Sequence, residues 1–347
     1  MNPEEPKRLT FRWDLDKTYL DTDFDTLRGL VRIPFESAAD KVSAPGVSAL
    51  IRGLRASAER RGVEVRVRFV SGSPPQIGKV ILEKLALDGI EHDGITFKDQ
   101  WGRIRRGKFR DLREQVGYKL TELLRDRRLE PPGTVEFLFG DDWESDPLIY
   151  SLYADIISGA IGREELRRIL VALHVAPDLA AIADELTERV DRDDAVRRIF
   201  INLARRTPPR GFDPYGPRLV PTYNYLQTAA CLFEEGVLDI PAVSAVVSAL
   251  RDEYHYDSRR LVNSLRDIER RGHLSATGAA ALAVTLRDDK VLPEFALGRS
   301  RWRDAWLRLR LRIRLRRRAP VAVPRRADYT QLLPALSSAP AGEGLQT

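Results

Sequence analysis

Phe11-Arg12-Trp13-Asp14-Leu15-Asp16-Lys17-Thr18-Tyr19-Leu20 is the stretch from which the rest of this chain can be read. Leu9, Phe11 and Trp13 alternate with Arg8, Thr10 and Arg12, the two-residue period of a β-strand. Asp14 and Asp16 stand two apart, so on an extended segment their carboxylates share one face. Two same-face carboxylates at a strand end can hold a hard divalent cation. One of them can also attack a phosphorus atom while the other carries a proton. The pattern Asp-x-Asp is common, and its meaning depends on the elements downstream of it.

Three such elements come in order. The apolar run Val63, Val65, Val67, Phe69, Val70 reads as a second strand and stops at Ser71-Gly72-Ser73-Pro74-Pro75, a turn signal. Phe109 to Leu124 has helical spacing and carries Lys119. Val135 to Phe139 reads as a strand and ends in Gly140-Asp141-Asp142, with Asp146 close behind. Helical patterns separate these strands. One begins after Ser43-Ala-Pro-Gly-Val47, whose composition suits a helix cap, and continues through Leu50, Leu54 and Ala58 to Arg60-Arg61-Gly62. Another runs from Ile77 to Leu87, and Gly94 to Phe97 is a brief strand. Residues 18–45 show no clear period and read as a loop or flap. Alternating strands and helices predict an α/β fold with a parallel sheet and helices on both faces. Ligands of such sheets bind at the carboxyl ends of the strands, where Asp14, Ser71 and Asp141 all fall.

With 347 residues the chain has room for two domains and ample core. Past residue 150 it is rich in Ala, Leu, Arg and Glu at helical spacing, which predicts an all-helical C-terminal region. The expected division is 1–158 for the α/β domain, 159–298 for the helical domain, 299–318 for an Arg-rich segment and 319–347 for a disordered tail. A single cysteine, Cys231, excludes an intramolecular disulfide and a Cys-rich zinc site, and fits a reducing compartment. Its apolar neighbours make it a core residue. His92, His174, His255 and His273 are scattered without metal-ligand spacing. No apolar stretch comes after the charged N-terminus and no run is long enough to span a membrane, so the expected location is cytoplasmic.

The net charge of +6 is local rather than general. Residues 299–326 hold twelve Arg and one Asp, or +11, whereas residues 1–298 sum to −3. Within that segment Leu307, Leu309, Leu311, Ile313 and Leu315 alternate strictly with the arginines at 308, 310, 312, 314 and 316. Such a polybasic run gains about 1 kcal/mol per cation near an anionic leaflet, and it would also bind nucleic-acid phosphates. A peripheral membrane location and a nucleic-acid partner are therefore both expectations, as is a plain solvated or docked Arg-rich segment.

Together the four elements resemble the haloacid-dehalogenase-like phosphohydrolases. Their first motif, Asp-x-Asp-x-Thr/Val, matches Asp14, Asp16 and Thr18; their second, a Ser or Thr after a strand, matches Ser71. Their lysine is matched by Lys119 and their last motif, Gly-Asp with a second Asp, by Asp141 and Asp146. Ser71-Gly-Ser-Pro74 and Gly140-Asp141-Asp-Trp-Glu-Ser-Asp146-Pro-Leu-Ile-Tyr150 look closest to the actin-patch type of phosphatidate phosphatase. The likeness covers residues 9–155, with Lys17 standing where that family has an acidic or small residue.

The resemblance implies a Mg2+-dependent phosphomonoester hydrolase working through an aspartyl-phosphate, with phosphatidate or another lipid phosphate as the candidate substrate. Asp14 would be the nucleophile and Asp16 the acid and base, while Ser71 and Lys119 would bind the phosphoryl group. Mg2+ would be held by Asp14, the Leu15 carbonyl and Asp141, with Asp16, Asp142 and Asp146 completing the candidate metal set. Three alternatives stay open at this level: Ser73 for Ser71, Lys108 for Lys119, and Asp142 for Asp141. The rival function is a non-catalytic scaffold of the same fold that binds anionic membrane or nucleic acid through its Arg-rich tail.

Overall fold

The computed structural model describes residues 6–15, 17–20, 43–72, 78–97, 112–143, 145–288, 327–330 and 332. Asp16, Ser73, Lys108, most of the expected flap and the Arg-rich segment 299–318 lie outside the described residues.

Six parallel strands form one sheet: β1 (Arg8–Asp14), β2 (Glu64–Ser71), β3 (Gly94–Phe97), β4 (Val135–Asp141), β5 (Val196–Asn202) and β6 (Leu219–Thr222). Their spatial order is β3-β2-β1-β4-β5-β6. The chain thus winds outward from β1 in one direction and then, from β4, in the other. The two central strands are neighbours where the winding reverses, the place at which open α/β sheets bind ligands.

Ten α-helices cover the sheet among the described residues. One face carries α1 (Val47–Arg60) and α2 (Gly78–Leu87). The opposite face carries α3 (Leu112–Arg127), α4 (Asp146–Ile157), α5 (Arg163–Ala172) and α6 (Pro177–Arg189). After β6 the chain returns to the first face with α7 (Tyr225–Glu234), α8 (Ile240–Asp252), α9 (Ser258–Arg270) and α10 (Ala276–Asp288). Among the described residues no helix is long and apolar enough to cross a membrane. Leu9, Phe11 and Trp13 of β1 point to the α1 side, where Trp13 stacks on Phe139 at 3.8 Å between ring centroids. Thr10, Arg12 and Asp14 point to the α3 side, and all three are buried. Alternation in β1 therefore does not mark a wet face; it marks a polar interior. Arg12 reaches Glu136 at 2.8 Å, Asp126 at 3.2 Å and Glu130 at 3.4 Å.

The α/β class, the parallel sheet and the helices beyond it agree with the expectation. Two particulars differ. First, β5 and β6 come from residues 159–298, expected to be helical, so this segment completes the sheet. β5 is interrupted by Arg197 and Arg198, which both pair with Glu235, and β6 has four residues including Pro221, so neither carries a strong strand pattern. Second, part of the tail expected to be disordered is packed. Tyr329 is buried and donates to Asp155 at 2.6 Å.

The start of α1 also differs from its expected cap. Gly46 precedes the helix at φ 82°, a conformation open to glycine, and no side chain caps it. Ser43 instead donates to Asp88 at 2.6 Å, together with Tyr19 at 2.5 Å and Lys84 at 2.6 Å. Asp88 thereby ties down both ends of the segment between Leu20 and Ser43, which also form an antiparallel bridge.

Candidate active site

Three loops meet at the carboxyl ends of β1, β4 and β5. Asp14 is the last residue of β1, Asp141 the last of β4, and Asp146 the first of α4. Ser71 ends β2, one position beyond Val70, the register partner of Asp14. Lys119 comes from the middle of α3. All five side chains are fully buried.

Lys119 is the centre of the arrangement. Its Nζ donates to Asp14 Oδ1 at 2.8 Å and to Asp146 Oδ1 at 2.7 Å. The second oxygen of Asp146 accepts the Asp141 amide at 3.3 Å, and Asp141 Oδ1 accepts the Trp143 amide at 2.5 Å. A Cβ on Gly140 would stand 2.5 Å from Asp146 Oδ2 and 2.6 Å from its Cβ. Only glycine lets the end of β4 approach the start of α4 this closely. Gly117 of α3 allows a close approach of the same kind by the segment leading into α6, since a Cβ there would meet Val175 at 2.7 Å.

One carboxylate oxygen from each of Asp14, Asp141 and Asp146 lies within 4.8 Å of the others. Three buried carboxylates converging beside one lysine make a group of oxygen donors that suits a divalent cation. The donors are all hard oxygens, which suit Mg2+ and its chemical kin rather than a soft metal. The donor set therefore fits the expected cation. Tyr150 packs nearby with its hydroxyl 3.4 Å from the Phe139 carbonyl. Burial first, and then Asp146, push its ionisation well above the ordinary phenol range, so it stays neutral.

Two candidate ligands have other work. The Leu15 carbonyl accepts the amides of Tyr19 at 3.2 Å and Leu20 at 3.0 Å, which closes a one-turn loop. Asp142 turns the other way from Asp141. Its carboxylate accepts the Arg205 amide at 2.8 Å and the Thr207 amide at 3.1 Å, anchoring the loop after β5. The structure thus brings Asp14, Lys119, Asp141 and Asp146 together and turns the Asp142 carboxylate to the loop after β5. The order Asp141 over Asp142 is decided by strand alternation, which sends successive side chains to opposite sides.

Sequence reasoning missed the contribution of the β5 end. Asn202 donates its side-chain amide to the Lys17 carbonyl at 3.2 Å, and the Tyr225 hydroxyl donates to the Thr18 carbonyl at 2.5 Å. Lys17 is held at φ 56°, left-handed backbone that a residue with a Cβ rarely adopts. Trp143 lies beside this turn with Lys17 Nζ 5.2 Å and Arg205 Cζ 4.1 Å from its ring centroid. No signal within residues 9–155 points to Asn202, Arg205 or Tyr225, which come from far along the chain.

No family model, no curated protein and no solved structure matches this chain.

Proposed function

We propose that this protein hydrolyses phosphomonoesters through an aspartyl-phosphate, in the manner of the haloacid-dehalogenase-like enzymes that its motifs resemble. The observation that carries the reading is the fully buried Lys119, bonded to Asp14 and Asp146 where the sheet reverses its winding. A lysine there neutralises charge on a bound phosphoryl group and keeps the Asp14 carboxylate oriented for attack. An Asp14 oxygen attacks phosphorus, the bond from phosphorus to the leaving oxygen breaks, and that oxygen takes a proton. By the resemblance Asp16 donates this proton. Water then attacks phosphorus with Asp16 receiving its proton, and release of inorganic phosphate restores Asp14. Ser71 is the hydrogen-bond donor to the phosphoryl oxygens, and Asp146 positions Lys119. Asp14, Asp141 and Asp146 would hold the divalent cation, which when bound supplies Lewis-acid charge to the phosphoryl group.

What favours catalysis over a scaffold is the place of the cluster, since Asp14, Asp141, Asp146 and Lys119 gather at the strand ends where the sheet reverses its winding, whereas the buried Arg12 network lies within the sheet layer. The test is phosphate release from 4-nitrophenyl phosphate and from phosphatidate vesicles, with Mg2+ and with a chelator, for wild type and Asp14→Asn. Mg2+-dependent release that Asp14→Asn abolishes supports the reading, and the ratio of the two substrates tests the lipid expectation. Activity that persists in folded Asp14→Asn would falsify it.

A further inference from the structure

Beside the acidic group, at the end of β4, stands an arrangement that the phosphoryl-transfer chemistry does not use. Trp143 stands two residues beyond Asp141 and is 36% exposed. Lys17 and Arg205 lie against its ring from the loops after β1 and β5. Arg205 is exposed, and among the described residues its guanidinium meets no carboxylate. Many arginines among the described residues pair with Asp or Glu, whereas an arginine that stacks on an aromatic ring keeps its fork of donors for something else. The loop that presents it is fixed from below, because the buried Asp142 carboxylate holds the backbone amides of Arg205 and Thr207. Lys17 is fixed in turn by Asn202 on its carbonyl. Two cations are thus positioned through their backbones, Lys17 three residues beyond Asp14 and Arg205 in the loop after β5.

From this geometry we infer that this arrangement is a second anion subsite, and that the preferred substrate carries a further phosphate or carboxylate on its leaving-group side. The inference rests on the phosphatase reading for its substrate class, but the anion site stands on its own geometry. The transferred phosphoryl group goes to Asp14 and Lys119, and the second anion meets Arg205, with Lys17 beside it, at Trp143. A bidentate guanidinium–phosphate contact gives both strength and direction. A neutral leaving group, such as the diacylglycerol of phosphatidate, would make no use of Arg205. Among the described residues the exposed aromatics after β4 and β6 carry cations, Arg205 on Trp143 and Arg271 on Tyr223.

The probes are propyl phosphate, propane-1,3-diol bisphosphate and phosphatidate vesicles, with wild type, Arg205→Ala and Arg205→Lys in Mg2+. The expected result is a kcat/KM about tenfold higher for the bisphosphate than for propyl phosphate, a usual size for one charge-assisted contact. Arg205→Ala should remove that preference and leave propyl phosphate within about twofold, because Asp142 holds the backbone and not the side chain. Arg205→Lys should keep part of it. Equal rates for the two small substrates, a preference untouched by Arg205→Ala, or phosphatidate outpacing both would overturn the inference. Bisphosphate binding to the Asp14→Asn protein, measured by calorimetry, separates this result from the fate of the phosphatase reading. If wild type turns over nothing, that reading fails, and the subsite is still decided by binding. About tenfold weaker binding on adding Arg205→Ala retains it; no binding, or no change, sinks it.

Discussion

At the scale of single residues, Lys119 is the side chain on which the site depends most. It is the one cation bonded to the buried acidic group among the described residues, and it touches two of the three carboxylates. Lys119→Met keeps the length and removes the charge. Without divalent metal this variant should lose about 3–5 kcal/mol of stability, the usual cost of removing one partner of a buried pair. Saturating Mg2+ should restore part of that loss, since a ligand that binds only the folded state stabilises it. Urea unfolding with and without Mg2+ checks both; a variant as stable as wild type in chelator would show that the three carboxylates do not need the lysine. The choice between Lys119 and Lys108 was not legible in sequence, where both sit near a helical pattern. Packing of α3 against the sheet is what brings Lys119 to Asp14.

At the scale of elements, the junction of β4 and α4 sets the site. Gly140 allows Asp146 to lie against the end of β4, from which it reaches both Lys119 and the Asp141 amide. Gly140→Ala should push Asp146 and Lys119 apart and cost about 1–3 kcal/mol as an overpacked contact. Phosphate release should fall more than about tenfold, because small misplacements of catalytic groups cost about a hundredfold. Unchanged kcat in Gly140→Ala would mean that Asp146 does not position the lysine. Most elements of the first half were legible, because they carry clear periods: the strand at 94–97 coincides with the expected span. β5 and β6 were not legible, because strand propensity depends on context and burial. Their buried positions are set by pairing, of β5 with β4 and of β6 with β5, which supplies the backbone partners that a short segment cannot find alone.

At the scale of the whole molecule, a buried ionic network ties the sheet to the α3–α4 layer. Arg12 meets Glu136, Asp126 and Glu130, while Glu136 also receives Arg127 at 2.9 Å and Tyr153 at 2.8 Å. Burial by itself would raise the Glu136 carboxyl, but Arg12 and Arg127 outweigh it and hold the group below its ordinary range. Arg12→Met should cost about 3–5 kcal/mol in chemical unfolding, with the active-site residues untouched. A loss below about 1 kcal/mol would mean that the network relaxes around the change. The pH dependence of stability has a different source. Burial, with help from Arg271 and Arg198, pushes the His273 imidazole down to about 4. The unfolded chain, with an ordinary His near pH 6.5, therefore binds the proton first. Stability from this group is complete above about pH 6.5 and is lost as pH falls toward 4. Below that, carboxylates such as Asp184, held near 2 by Arg163, begin to contribute. His273→Gln should reduce the slope of the unfolding midpoint between pH 6.5 and pH 4, leaving the share of His92, which burial also lowers; an unchanged slope would place the dependence elsewhere.

The sequence by itself determined the strand-and-helix alternation, the parallel class of the sheet and the strand ends that carry Asp14, Ser71 and Asp141. These come from local period and turn chemistry, which act over a few residues. Only the tertiary structure decided that residues 196–222 close the sheet, that Tyr329 returns to it, and that Asp142 faces away from the acidic group. It also decided that Arg205 stands beside Trp143. Each of these depends on contacts between segments distant along the chain, where burial and pairing override local preference.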